Sequence, residues 1–314
     1  MKNKNFLHPK FYPTWILIFL MKISTRIPFK VQLKIGRLIG RLMFVSSGHL
    51  KKVAEKNLGL CFPEKNKQQI TFLVRKNFEE MGISIFETAN AYFAHNNKIS
   101  KRLEVRNEKY LREAIENHKS IILLSSHFLS LMMGGRALLI KGYTTANVYR
   151  PQNNKLFDEI MKSSYLKNGA LMIKTKDTRS ILKAIKSKTP IWYAPDQDLG
   201  PKNSIFAPFF NIPTATVSAT SRLAQNSNTV VIPYHFNRQK DKYIMEFLKP
   251  LRSFQPKTLS RMPQKQMQYL KSKSLNILIN IYGSIRDLKP GQMAIQFIMK
   301  TYDLSIEKGV SFLV

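Results

Sequence analysis

This 314-residue sequence is poor in cysteine, poor in acid, and without any long unbroken hydrophobic run. The single cysteine, Cys61, can form no internal disulfide and supplies no multi-cysteine metal site. Disulfide scaffolds and zinc fingers are therefore excluded, and a reducing compartment or a cytoplasm-facing surface fits. Asp and Glu number 19 against 51 Lys and Arg, a formal net charge of +32. Such a surplus calls for an anionic partner: phosphate-bearing lipid, nucleic acid or an acidic protein. There is no sustained block of like charge, no internal repeat and no low-complexity linker. Apolar residues still make up 44% of the chain, so it is not a disordered basic tail. A chain of this length can bury one sizeable core.

The shortage of continuous apolar sequence matters most at the N-terminus. In FYPTWILIFLMKISTRIPF (Phe11 to Phe29) the uninterrupted stretch runs only from Trp15 to Met21 before Lys22 and Arg26 intervene. A spanning helix needs about 20 mostly apolar residues. No small-residue cleavage site follows, which argues against a removed signal peptide. Phe11, Tyr12 and Trp15 at one end, with Lys22, Arg26, Lys30 and Lys34 at the other, suit the headgroup boundary of a bilayer. Residues 1–30 are therefore expected to form an N-terminal hydrophobic anchor helix that dips into the bilayer or crosses it with strain. Its basic side would face an anionic cytoplasmic leaflet. The alternative is an ordinary amphipathic core helix. Residues 1–60 hold twelve Lys or Arg and one acid, Glu55, and residues 249–300 hold ten and one, Asp287.

Behind the anchor, residues 31–314 read as one domain. Val31, Leu33, Ile35, Leu38, Ile39 and Leu42 recur at helical spacing, and Asn66 to Ala91 reads as another helix. From position 120 the pattern alternates. Short apolar runs at 120–126, 145–149, 190–194, 230–235 and 243–248 read as strands. Helical periods follow His127 through Ile140 and cover 155–166, 178–186 and about 216–225, and the tail from Pro263 to Met299 is mostly helical. Strands alternating with helices predict an α/β fold, a sheet covered by helices.

SIILLSSHFLSLMMGG places His127 where a buried strand ends and a helix begins. Ligands of α/β sheets sit at such strand ends. A histidine just before a first helical turn faces free backbone N–H groups, which disfavour the imidazolium and leave a neutral ring able to act as a general base. On its own a strand-end histidine is more often structural than catalytic.

Four separated segments change that balance: HFLSLMMGGR, NVYRP (Asn147 to Pro151), WYAPDQDLGP with FAPFF (Trp192 to Phe210), and NLGLCFPE (Asn57 to Glu64). In order and spacing, from the N-terminal segment to about residue 300, the chain resembles the late acyltransferases of lipid A biosynthesis, the lauroyl and myristoyl transferases, within the wider lysophospholipid and glycerophospholipid acyltransferase group. The resemblance implies a glycerophospholipid-acyltransferase-like mixed sheet, and transfer of a fatty acyl chain from acyl carrier protein to a hydroxyl of a lipid A precursor at the cytoplasmic face of the inner membrane. It implies no cofactor and no metal. Both substrates, an acidic carrier protein and an anionic glycolipid, suit a basic protein on a membrane surface. By position His127 would activate the acceptor hydroxyl, and Arg150 would hold a phosphate or a developing oxyanion. Asp196 and Asp198 match the family's paired acids, Gly200 frees the following turn, and Pro233 matches the last block.

The chain departs from the family pattern at one chemically important position. That pattern is histidine, four residues, then Glu or Asp; here the acid position is Met132. An acid there would orient the imidazole, fix its tautomer and stabilise the imidazolium, none of which a thioether does. Disabling the orienting carboxylate of a serine-protease triad costs about 10⁴ in turnover, a scale that sets trace activity as the default. The tail departs as well: QMAIQFIMKTY (Gln292 to Tyr302) lacks the aromatic and basic block of the family. A catalytically silent homologue that binds the lipid or the carrier is the second reading. A nucleic-acid-binding protein is the third, and no RRM, KH or helix-turn-helix signature supports it.

Overall fold

The computed structural model describes residues 4–194, 204–209, 212–217, 223–224 and 229–251. Helices α1 (Tyr12–Ser24), α2 (Phe29–Ser46), α3 (Gly48–Cys61), α4 (Lys67–Phe93) and α5 (Asn96–Ser100) precede the first strand, β1 (Leu103–Arg106). Then follow α6 (Lys109–Glu116), β2 (Ser120–Leu124), α7 (Leu131–Ile140), β3 (Ala146–Tyr149), α8 (Lys155–Leu166), β4 (Leu171–Lys174), α9 (Thr178–Lys186) and β5 (Ile191–Tyr193). A hairpin of β6 (Ser204–Phe209) and β7 (Ile212–Val217) leads to β8 (Thr229–Gln239) and β9 (Lys242–Phe247). Seven strands form one sheet in the order β1-β9-β8-β2-β5-β3-β4, with only the β8–β9 pair antiparallel. The mixed sheet covered by helices is thus as expected.

Strand β2 shows why the sheet is covered on both sides. Successive strand residues point to opposite faces. Ile121 and Leu123 join a core built with α2, α4, α6, α7 and α8, while Ile122 and Leu124 join another with α9. Such two-sided burial explains why the run SIILL is apolar throughout rather than alternating.

Helix α4 opens with a capping box, Asn66 and Gln69 exchanging 3.0 Å hydrogen bonds between side chain and backbone. Helix α2 lies against it at backbone contact. A Cβ on Gly82 would stand 2.0 Å from the Gly36 carbonyl oxygen and 2.5 Å from the Gly40 nitrogen.

The structure corrects several expectations. Helix α1 has 13 residues, about 20 Å at 1.5 Å per residue, short of the ~30 Å hydrocarbon layer. Among the described residues no helix is long and apolar enough to cross a membrane. Nor is α1 detached: Thr14, Ile18 and Met21 are buried, and Met21 shares a core with Phe29, Leu33 and Ile83. The segment predicted to dip into the bilayer or cross it is therefore a 13-residue helix, apolar on both faces, packed on the rest of the chain through Thr14, Ile18 and Met21. The helix predicted around 216–225 is corrected at its start, where Thr216 and Val217 end β7, paired with Ile205 and Ser204, while Leu223 and Ala224 within it are helical. Hairpin pairing overrides a weak helical period there. Strands β1, β4, β6 and β7 and helix α6 had no strong sequence signal. The helical reading of 263–299 and the block Gln292 to Tyr302 lie outside the described residues.

Candidate active site

The parallel strands β2, β5 and β3 end at the same edge of the sheet. Leu124 is level with Tyr193 of β5 and with Pro233 of β8, and Asn147 of β3 is level with Trp192. Beyond those ends the chain presents Ser125, Ser126 and His127 from β2 and Arg150 from β3, with one strand between them. Strands lie about 4.8 Å apart, so the two exits stand roughly 10 Å from each other. The Ser125 N–H donates to the Tyr193 carbonyl at 2.9 Å, which ties the β2 exit to β5. His127 is half-buried and Arg150 exposed.

His127 does not directly precede the helix. Helix α7 begins at Leu131 with Ser130 as its N-cap, so three residues separate the ring's residue from the cap-to-helix junction. The first helical turn whose backbone N–H groups were expected to face this imidazole thus starts four residues on, at Leu131. Met132 does occupy the first turn of α7, the place from which an acid would reach back.

Two glycines seat that turn. A Cβ on Gly134 would stand 3.0 Å from Phe236 of β8, and one on Gly135 would stand 2.6 Å from the Trp192 ring of β5. The Gly134 carbonyl accepts from Tyr234 Oη at 2.8 Å. The MMGGR segment thus lets α7 sit directly on the two strands flanking β2, and it fixes position 132 relative to the strand ends. Tyr165 of α8 completes the clamp, its hydroxyl donating to the Met132 carbonyl at 2.7 Å and standing 3.6 Å from Met132 Sδ. Burial pushes the Tyr165 phenol well above its ordinary pKa, so it remains a donor. Phe128 packs edge-on against His235 of β8, with ring centroids 4.8 Å apart, on the opposite face of the sheet.

Asp196, Asp198 and Gly200 lie outside the described residues. The segment leading to them leaves β5 between the His127 and Arg150 exits, since β5 lies between β2 and β3.

The model of the bacterial lipid A biosynthesis acyltransferase family matches residues 1–273. This chain belongs to that family. A lipid A biosynthesis lauroyltransferase of Escherichia coli is 33% identical over 236 residues, covering 75% of this chain and 77% of the relative. A lipid A biosynthesis acyltransferase of Haemophilus influenzae is 34% identical over 246 residues, 76% of each chain. A lipid A biosynthesis palmitoleoyltransferase of Escherichia coli is 30% identical over 240 residues, covering 76% of this chain and 78% of the relative. The late acyltransferase resemblance read from the motifs is confirmed at family level. Membership makes this chain an acyltransferase with a lipid acceptor and an acyl donor.

In this acyltransferase the sequence reading passed over Arg136 and Tyr165. Arg136 lies inside the quoted run HFLSLMMGGR, one helical turn after Met132, and that spacing was an available signal. Tyr165 carried none, because its contact with Met132 depends on how α8 docks against α7.

Proposed function

We propose that this lipid A acyltransferase moves a fatty acyl chain, of the lauroyl or myristoyl class, from acyl carrier protein to a hydroxyl of a lipid A precursor, at low turnover. One observation carries the reading: His127 and Arg150 leave the sheet at one edge, after strands β2 and β3, and β5, the strand that precedes Asp196 and Asp198 in the sequence, lies between them. In this reading His127 takes the proton of the acceptor hydroxyl as its oxygen attacks the thioester carbonyl. Arg150 balances a phosphate or the oxyanion that forms, and collapse of the tetrahedral intermediate expels the carrier thiolate, which takes a proton. Met132 supplies no carboxylate to orient the ring, so the proton transfer worth about 10²- to 10⁴-fold is only partly exploited. The low turnover follows.

The setting we infer is the cytoplasmic face of the inner membrane, by surface docking rather than spanning. Tyr12, Ile16, Phe19, Leu20 and Ile23 form an exposed apolar stripe on α1, and Val31, Ile35, Leu38, Leu42 and Val45 form another on α2. Lys22, Lys30, Lys34, Arg37 and Arg41 interleave with them, and no acid occurs before Glu55. An amphipathic face with a basic rim suits an anionic lipid surface.

The deciding experiment incubates the purified chain with acyl carrier thioester and lipid A precursor and weighs the product. A mass gain of one acyl group is expected at a trace rate, increased by up to about 10⁴ in Met132→Glu. No product from either protein would defeat the reading. Met132 also favours a second one, a silent homologue that binds lipid or carrier without transfer. It requires that His127→Ala change nothing measurable, so loss of a detectable turnover in that variant removes it.

A further inference from the structure

A buried polar group without a hydrogen-bond partner is uncommon, and a buried charge without a counterion is costlier still, because the charge gives up far more hydration. Arg136 of α7 is such a charge. It is 6% exposed, its Nη2 donates to Asn96 Oδ1 at 2.6 Å, and its Nε and Nη1 make no hydrogen bond. Among the described residues no carboxylate pairs with it. Burial pulls its pKa below the ordinary guanidinium value, and among the described residues the Tyr165 phenol acts against that.

Met132, one turn before Arg136, lies on the same helical face, and long helical side chains lean toward the N-terminal turn. Tyr165 borders both, through its hydroxyl at Met132 and its ring 3.2 Å from a Cβ placed on Gly135. On the sheet, Trp192 Nε1 of β5, whose ring abuts Gly135 beside Arg136, and Asn147 Nδ2 of β3, its register partner, are buried donors with no hydrogen bond. Unmatched N–H groups around an unmatched cation make an environment suited to an anion. The side chain on that face, Met132, is half-buried and conformationally adaptable.

We propose that Arg136 is an anion-binding residue: the turn of α7 carrying Met132 receives a carboxylate or phosphate group from a ligand, and that group is the counterion that no described residue supplies. This site is separate in its logic from acyl transfer, so it stands or falls without reference to turnover.

The test is thermal melting of the full chain in neutral detergent at constant ionic strength. It is titrated with inorganic phosphate against chloride, and separately with short-chain phosphatidic acid against phosphatidylcholine of the same chains. A saturable rise in Tm with phosphate identifies a free anion as sufficient; a rise with phosphatidic acid alone identifies a lipid-borne phosphate. Arg136→Met abolishes either rise and, having removed an unpaired buried cation, melts no lower than the parent in chloride. Met132→Glu places a carboxylate one turn from the guanidinium, so it melts higher than Met132→Gln and no longer responds to phosphate. The proposal is overturned if neither probe gives a saturable rise, if Arg136→Met responds as the parent does, or if Glu at 132 melts no higher than Gln. Should Arg136→Met fail to fold, the two Met132 variants decide alone.

Discussion

At the residue scale the chemistry turns on His127 and on the thioether five positions later. A strand-end imidazole is an ambiguous feature by itself; it gains meaning from the parallel ends of β2, β5 and β3, which gather His127 and Arg150 at one edge. His127→Ala should lower acyl-transfer turnover by about 10²- to 10⁴-fold, the range for loss of a general base, with an unchanged melting temperature. Product mass spectrometry at matched protein concentrations reads it. Restoring the carboxylate with Met132→Glu should act in the opposite direction, and the gain should vanish in the His127→Ala background. The motif order made these residues legible in the sequence. Arg136 stands one turn after Met132 in the same run, but its burial is not legible there, because an arginine within a helix looks like any solvated arginine until packing removes its water.

At the element scale the decisive contact is α2 on α4. Gly36, Gly40 and Gly82 bring the two backbones together, and the ion pairs Arg41–Glu79 at 2.8 Å and Lys76–Glu79 at 2.9 Å lie beside the crossing. Gly82→Ala would drive a methyl into backbone of the facing helix rather than into a movable side chain. Destabilisation of about 3 kcal/mol is expected, the upper part of the range for overpacking, read by circular-dichroism melting. Glu79 gives a pH prediction with a definite sign. Burial would raise its pKa, but hydrogen bonds from Arg41 and Lys76 outweigh that and hold the carboxyl below its ordinary value of 4.5. A depressed folded-state pKa contributes stability that is complete above about the unfolded value and is lost as pH falls through the folded one. Glu79→Gln should therefore be less stable than the parent near neutrality, and the gap should close on acidification below pH 4.5. Denaturant titration at several pH values measures it. Sequence periodicity revealed these helices, but the closeness of their crossing became visible only with both backbones in place. The short strands β1 (LEVR) and β4 (LMIK) lack the apolar run that marks the similarly short β3 and β5, and carry charged residues and exposed positions instead.

For the whole molecule, the charge of +32 and the unpaired apolar faces of α1 and α2 belong to one argument. Neither helix is long and apolar enough to cross a bilayer, yet Leu42 is 62% and Val45 82% exposed, an unfavourable arrangement in water at about 25 cal/mol per Å² of apolar surface. Seating both stripes at a headgroup boundary recovers that term and adds about 1 kcal/mol per basic residue near an anionic surface. The quadruple variant Phe19→Ser, Leu20→Ser, Leu38→Ser, Leu42→Ser should stay folded, because these side chains leave the core untouched. It should sediment far less with vesicles containing anionic lipid, and high salt should weaken the parent in the same direction. Equal sedimentation of the two proteins would contradict surface docking.

Composition, motif order and hydrophobic period were enough to establish an α/β acyltransferase of the lipid A class with a strand-end histidine and a missing acid. Those properties are local, or repeat along the chain, and survive being read one residue at a time. Whether the N-terminal segment packs on the chain, where the helix after His127 begins, and which cation is buried with no carboxylate beside it among the described residues were decided by tertiary structure. Each depends on what residues distant in sequence place around it, and burial is a property of that surrounding rather than of the side chain.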